Sequence, residues 1–358
     1  MRILIQFELR KIFSKRLTKI ALIAMLLLSL LFAFSTYQKM YAFDGISNVG
    51  TGRTAVEIDK SVAQKYAGVL TDDKVRQMMS DFKPVQDLHG MNAKYLYMSA
   101  FQSAAFCRFS DMDGNWNGLS VADVYGDEEI RIGYNYGWLK TSQNMEKVFL
   151  ALSLVIVVMI APVFSGEYGG VDSIILTSKY GTTKCASAKV IAGNLAALLV
   201  TALIAALNFA AAALLYGNSG LDCSILFAPV EFAEGYIPFN ITCAALLEYQ
   251  LLLVFTGALA VTGITLVLSA KCRNQMAALA ASAAAFLFPV MIPVSETNPL
   301  FRLIALLPVY HVQFVSLMSI EQMSNGLLYA ALAVPAALIF MGLGIFMPRR
   351  IFAKHQVS

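Results

Sequence analysis

Long apolar runs without a single charge alternate along the chain with short basic stretches and one long segment of mixed polarity. A helix rises about 1.5 Å per residue, so crossing roughly 30 Å of hydrocarbon takes about 20 apolar residues. Six runs meet that need: Ile20 to Tyr37, Val148 to Phe164, Val190 to Tyr216, Leu251 to Ala270, Met276 to Val294 and Leu327 to Met347. The pattern predicts an all-α integral membrane protein with six transmembrane helices. Its connections are 38–147, 165–189, 217–250, 271–275 and 295–326, and its ends are 1–19 and 348–358.

Basic residues in short loops set orientation, because they are retained on the cytoplasmic side. One set of flanks holds Arg2, Arg10, Lys11, Lys15, Arg16 and Lys19, then Lys179, Lys184 and Lys189, then Lys271 and Arg273, then Arg349, Arg350 and Lys354. The opposite short loops hold only Arg302. The expectation is a multi-pass plasma-membrane protein with both termini cytoplasmic. Pro299 to Ser319 is apolar enough to suggest a seventh crossing, but it carries Arg302, Pro308, His311 and Gln313, and a seventh span would expel the Arg349-Arg350 tail. A re-entrant helical hairpin on the outer side fits better, provided protein or water covers its broken backbone.

The first 19 residues put Ile5, Leu9, Ile12 and Phe13 on one helical face and Lys11, Lys15 and Lys19 opposite, with Arg16 intruding on the apolar side. This predicts a cytoplasmic amphipathic helix lying in the membrane interface; the plainer alternative is a basic flank that only fixes topology. A basic stretch before an apolar one also resembles a secretory signal. No convincing small-residue cleavage site follows, so the first helix is expected to stay attached.

Segment 38–147 mixes both signs of charge and reads as a mainly α-helical external domain between the first and second spans. Thr54 with Glu57 has capping-box spacing, opening a helix from Ala55 to about Ala67. Thr71 with Asp72 and Asp73 opens a second helix, with acids where the helix dipole favours them. A third is expected from about Met91 to Phe106. The stretch Asp111 to Gly118 offers oxygens at alternate positions, as a calcium loop does, but a loop begun at Asp113 has Val124 at its twelfth position, where a carboxylate is needed. A glycine and asparagine turn is the simpler reading. Tyr134, Tyr136 and Trp138 form an aromatic group before the second span, suited to packing or to anchoring at the interface.

Composition narrows the function classes. Hydrophobic residues make up 58% of the 358 and charged residues 14%, with a mean hydropathy of +0.64; a soluble domain carries roughly 25% charge. A soluble enzyme is excluded. The net charge of +4 resides in the flanks of the spans and forms no basic domain, so no nucleic-acid partner is implied and the lipid bilayer is the surrounding one. The three histidines and the acids form no metal or catalytic motif, and Gly-Lys occurs nowhere, so there is no phosphate-binding loop. The chain is expected to be no enzyme and to bind no metal or cofactor. Cys223 and Cys243 flank the 217–250 loop and could form a disulfide in an oxidising compartment, or both stay free. Asn194, Asn208, Thr256 and Thr262, with Thr265, are the main polar groups inside the spans. They are candidates for a substrate pathway, although such groups more often hold helices together. With no lysine or acid in mid-span, an ion-coupled transporter is disfavoured.

The segment after the second span carries the most information. It reads Val163-Phe164-Ser165-Gly166-Glu167-Tyr168-Gly169-Gly170, continues through Leu176-Thr177-Ser178-Lys179-Tyr180-Gly181, and re-enters through Lys184, Ala188 and Lys189. An acid directly after the span, glycines for a bend and a basic return make either a loop that docks a partner along the membrane or a plain connection. The string resembles the cytoplasmic loop of ABC exporter permeases of the second type. Six spans, cytoplasmic ends, a basic interfacial helix and broken helices between the last two spans are similar to that family as well; the large external domain departs from its smallest members. The resemblance implies a permease subunit that pairs with a second copy or a sibling permease and docks onto a separate ABC ATPase subunit, which carries the ATP and Mg. It further implies docking through Glu167, Tyr168, Gly169, Gly170, Lys179, Tyr180 and Lys184. The alternative is a membrane sensor or accessory scaffold whose external domain binds a ligand.

Overall fold

The computed structural model describes residues 1–43, 48–82, 99–111, 113–168, 170, 177, 181–229, 231–232, 239–295, 298–318 and 326–354. Most of them are helical. Among the described residues five helices are long and apolar enough to cross a membrane: Arg16–Lys39, Tyr136–Ser165, Thr183–Tyr216, Cys243–Lys271 and Leu328–Ala353. This is the architecture of a multi-pass membrane protein. The run expected as a fifth span forms a shorter apolar helix, Gln275–Met291. It starts at Asn274, whose side chain accepts from the Ala277 N–H at 2.7 Å, and its last turn tightens into a 3-10 helix at Phe288–Met291, where Pro289 cannot extend the α ladder.

Helix α1 (Arg2–Ser14) is separate from α2 (Arg16–Lys39), because Lys15 between them is extended. The face expected to be apolar does pack inward: Ile12 is buried and Ile5, Leu9 and Phe13 lie against the main core. The lysines expected on the opposite, solvated face do not all stay there. Lys11 reaches Glu167, and Lys15 donates to the Pro162 carbonyl at 3.3 Å.

The second long helix, α7 (Tyr136–Ile160), runs on through Ala161 into α8 (Pro162–Ser165). It begins well before Val148, inside the segment assigned to the external domain. Lys140 to Lys147 is a polar stretch for a long membrane helix, but neighbours satisfy several of its side chains, while the Ser142 hydroxyl is buried without a partner among the described residues. Asn144 bonds Thr36 of α2, Gln250 donates to the Ser142 carbonyl at 2.9 Å, Lys140 pairs with Glu231, and Glu146 takes both the Ser316 N–H and hydroxyl, at 3.0 and 2.6 Å. Helices α9 (Ala186–Tyr216) and α10 (Cys243–Lys271) likewise start earlier than their uncharged runs. Thr242 caps α10, accepting from the Ala245 N–H at 3.2 Å.

After α11 (Gln275–Leu287) the chain breaks into short pieces, α12 (Phe301–Ile304), α13 (Pro308–His311) and α14 (Phe314–Met318), before α15 (Gly326–Ala353). Among the described residues the segment expected to be interrupted thus forms short helices. Glu146 anchors it by capping α14, and His311 is fully buried, its Nε2 3.0 Å from the Leu306 carbonyl.

The domain between the first two spans is built from α3 (Arg53–Tyr66), α4 (Asp72–Asp81), α5 (Ala100–Phe109) and α6 (Val121–Tyr125). Two antiparallel strand pairs accompany them, β1 (Tyr41–Phe43) with β2 (Val49–Thr51) and β3 (Gly68–Val69) with β4 (Arg131–Ile132). It has its own apolar core, including Met78, Phe106 and Phe109. The Thr71 cap forms as expected. The Thr54–Glu57 capping box does not: Gly52, at φ +55°, turns the chain out of β2 and α3 starts at Arg53 rather than Ala55, leaving Glu57 to pair with Arg53. The third helix starts only at Ala100, with a Ser99–Gln102 capping box; the residues from Met91 to Met98 lie outside the described set. Asp111 accepts from the Asn115 N–H at 2.8 Å, using its carboxylate to close a turn, and no group of metal-ligating side chains occurs among the described residues.

Asp59 on α3 is buried in this core and accepts the Phe101 N–H at 2.9 Å, while its Oδ2 has no partner among the described residues. Burial raises its pKa to about 6, against the pull of Phe101 and Ser99. A raised carboxyl pKa means that the native state holds the proton more tightly, so stability falls as pH rises from the unfolded value near 4 to about 6. Asp59→Asn keeps the acceptor for Phe101 and removes the buried charge. It is expected to stabilise the domain at pH 7 by about 2–3 kcal/mol and to flatten the pH dependence of hydrogen-exchange protection across α3. An unchanged pH profile would reject this account of Asp59.

Candidate functional site

The end of the second span is a junction. Pro162 opens α8, and a Cβ on Gly166 would stand 2.5 Å from the Pro162 carbonyl, so the turn there requires glycine. Ser269 of α10 satisfies the break: it donates to the Ala161 carbonyl at 2.5 Å and accepts from the Phe164 and Ser165 N–H groups at 3.0 and 3.3 Å. Tyr168 donates to the Ala270 carbonyl at 2.6 Å, using one of the free acceptors at the end of α10. Phe164 and Tyr168 both pack on Phe352 of α15.

This scaffold turns Glu167 inward. It is 8% exposed, and its Oε1 accepts from Lys189 at 2.5 Å and from Lys11. Lys189, fully buried at the start of α9, also pairs with Glu8 of α1 at 3.1 Å, and Lys11 meets Glu8 at 2.9 Å. Two carboxylates and two ammonium groups thus join α1, the end of the second span and the start of the third. Burial disfavours the charge on Lys11, but hydrogen bonds and attraction from Glu167 and Glu8 outweigh it and hold its ammonium above the ordinary lysine range. Lys15 lies at the edge without a carboxylate hydrogen bond; burial and the Lys11 charge outweigh the attraction of Glu167 and Glu8 and bring its pKa down to about 8. Glu167 Oε2 is buried and has no partner among the described residues.

Of the residues expected to dock a partner, Glu167 and Tyr168 therefore face the protein. Gly170 and Lys184 are exposed beside them, as is Thr177. Gly169, Lys179 and Tyr180 lie outside the described residues. Lys11 stood out only as a basic flank residue and Glu8 not at all, because their partners come more than 150 residues later in the chain; the one available signal was a lone acid, Glu8, in an otherwise basic helix.

The expected pathway residues do not share a site of this kind. Asn208 donates to Ser29 at 2.9 Å, joining α9 to α2, and Asn194 bonds back to the Val190 carbonyl. Thr256 and Thr262 donate to carbonyls of their own helix, as does Thr265. Cys223 and Cys243 are free thiols, brought opposite each other by the Ser224–Thr242 bridge, with the Cys243 N–H donating to the Cys223 carbonyl at 2.9 Å.

Comparison with known protein families, with curated proteins and with solved structures finds no match.

Proposed function

We propose that this chain is the membrane-spanning permease subunit of an ATP-binding-cassette exporter. On this reading it moves its substrate across the plasma membrane with energy from a separate ATPase subunit. The observation that carries the proposal is the Glu8–Lys11–Glu167–Lys189 cluster. It clamps a separate amphipathic helix to the ends of two spans, beside the loop whose sequence resembles a docking loop. A motor that closes on ATP must push on something stiff, and buried ion pairs with short hydrogen bonds supply stiffness. Glu167 then acts as a positioning residue that sets the loop, while the exposed part, with Lys184, makes the contact. ATP and Mg belong to the partner, and a second permease copy or sibling completes the pathway.

The test is a gentle-detergent pull-down of the tagged chain from native membranes. An ATP-binding protein is expected to accompany it, to be lost with Glu167→Lys, and to fall several-fold with Lys184→Glu at an exposed position, thermal unfolding of the variant being measured alongside. A folded chain without any ATPase, in a preparation that preserves other membrane complexes, would favour a sensor or scaffold whose interspan domain binds a ligand.

A further inference from the structure

Where the interspan domain meets the spans, a half-open cleft of about 490 Å³ lies between α3, the β3–β4 pair and the loop following α9. Its polar lining is basic on balance: Lys60 and Arg131 against Asp222. Lys60 has no carboxylate partner among the described residues and rests over the ring of Tyr134, 5.3 Å from its centre. Arg131 pairs with Asp222 through Nε alone, at 3.2 Å, which leaves most of its donors open. Tyr134 is 7% exposed, and its hydroxyl is buried without a partner among the described residues. A buried phenol without a hydrogen bond is unusual in a finished structure.

The walls are shaped for close approach. Gly220, at φ +86°, lies so near the Tyr134 backbone that a Cβ would collide with it, and a Cβ on Gly217 would stand 2.8 Å from the Lys60 ammonium. Any larger residue there would push into the cleft. Asp59 neighbours Tyr134 but does not line the space.

Level decides the ligand class. Tyr134 directly precedes α7 and the Gly217–Gly220 loop directly follows α9, so the cleft sits at the ends of two spanning helices. Tyr37, Tyr136, Trp138 and Tyr216 gather at the same ends, and Trp138 donates to the Ser219 carbonyl at 3.0 Å. Trp138 and Tyr216 are buried and Tyr37 and Tyr136 pack against the domain's core, so these rings tie the domain to the helix ends; it is the ends of spanning helices themselves that reach the headgroup layer of a bilayer. We propose that this cleft binds a phosphate group, held by Lys60 and Arg131, and that a phospholipid headgroup presents it. The site stands independently of the ATPase reading, since it requires only the chain and its membrane.

Calorimetric titration of the purified full-length chain in detergent tests it, using dihexanoyl phosphatidylglycerol below its micelle-forming concentration and, separately, inorganic phosphate. The lipid is expected to bind, at least tenfold more weakly to Lys60→Gln, with Lys60→Arg restoring affinity and Asp222→Asn increasing it. Lipid binding that excess inorganic phosphate does not displace assigns the headgroup as the source. Phosphate binding with the same Lys60 dependence, displacing the lipid, keeps the phosphate site and assigns a soluble source. Arg131→Gln, at the exposed rim, provides the same readout should Lys60→Gln fail to fold. Absence of binding by both probes, or binding indifferent to Lys60 and Arg131, overturns the proposal.

Discussion

Lys189→Met is expected to cost about 3–5 kcal/mol of stability, because it leaves two buried carboxylates, Glu8 and Glu167, sharing the single ammonium of Lys11. Glu167→Gln should cost a comparable amount for the mirror-image reason: Lys189 has no exposed surface through which to recover its hydration. The pair Glu167→Gln/Lys189→Met removes one charge of each sign and keeps Glu8 with Lys11. Its cost should therefore be smaller than the sum of the singles, by about 1–3 kcal/mol, as residues of one network couple. Thermal unfolding of the detergent-solubilised chain measures all three. Single variants that each cost under about 1 kcal/mol, adding without coupling, would mean that the cluster is wet and open, and the stiff platform would have to be abandoned.

That cluster also shows what a linear reading can and cannot see. Glu167 and Lys189 stood out because an acid directly after a span and a basic return before the next are local patterns. Their burial was not legible: it depends on Glu8 and Lys11 arriving from the opposite end of the chain, and on Ser269, Tyr168 and Phe352 closing the surroundings. The apolar face of α1 was legible, since Ile5, Leu9, Ile12 and Phe13 follow helical spacing and do pack inward. Its lysines do more than lie opposite that face: Lys11 turns to Glu8 and Glu167, and Lys15 to the Pro162 carbonyl. Helix α7 likewise starts well before its uncharged run. Lys140, Asn144 and Glu146 find partners in Glu231, Thr36 and Ser316, and α7 continues through them. Glu146 is the residue most fully missed: it was read as the edge of a soluble domain, while it caps the interrupted segment before the last helix. The interruption itself was readable from the combination of Arg302, Pro308, His311 and Gln313 in one apolar run; a proline alone does not break a span, since α15 runs unbroken through Pro335.

Gly344→Val is expected to separate the last helix from α10 and to destabilise the chain more than an ordinary surface change in a span. The two helices touch backbone to backbone. A Cβ on Gly344 would fall on the Gly263 backbone, and one on Gly263 would fall on the Phe340 carbonyl. Without a hydrophobic driving force between helices in lipid, close van der Waals contact of small residues is a main source of their association. A branched side chain at Gly344 has no rotamer that avoids the opposing backbone, so the helices must part along their length. The expected loss is about 3 kcal/mol or more, at or above the usual upper range for overpacking. Gly342→Val, two residues away, meets nothing within 4 Å and serves as the matched control, expected to change stability by under about 1 kcal/mol. The effect should also travel. Phe352, near the end of the same helix, packs on Phe164 and Tyr168, so displacement of α15 should loosen the turn that presents Glu167. Protease sensitivity of segment 165–185 should rise in Gly344→Val and stay unchanged in Gly342→Val. Equal stability of the two variants would show that α10 and α15 cross more loosely than their glycines indicate.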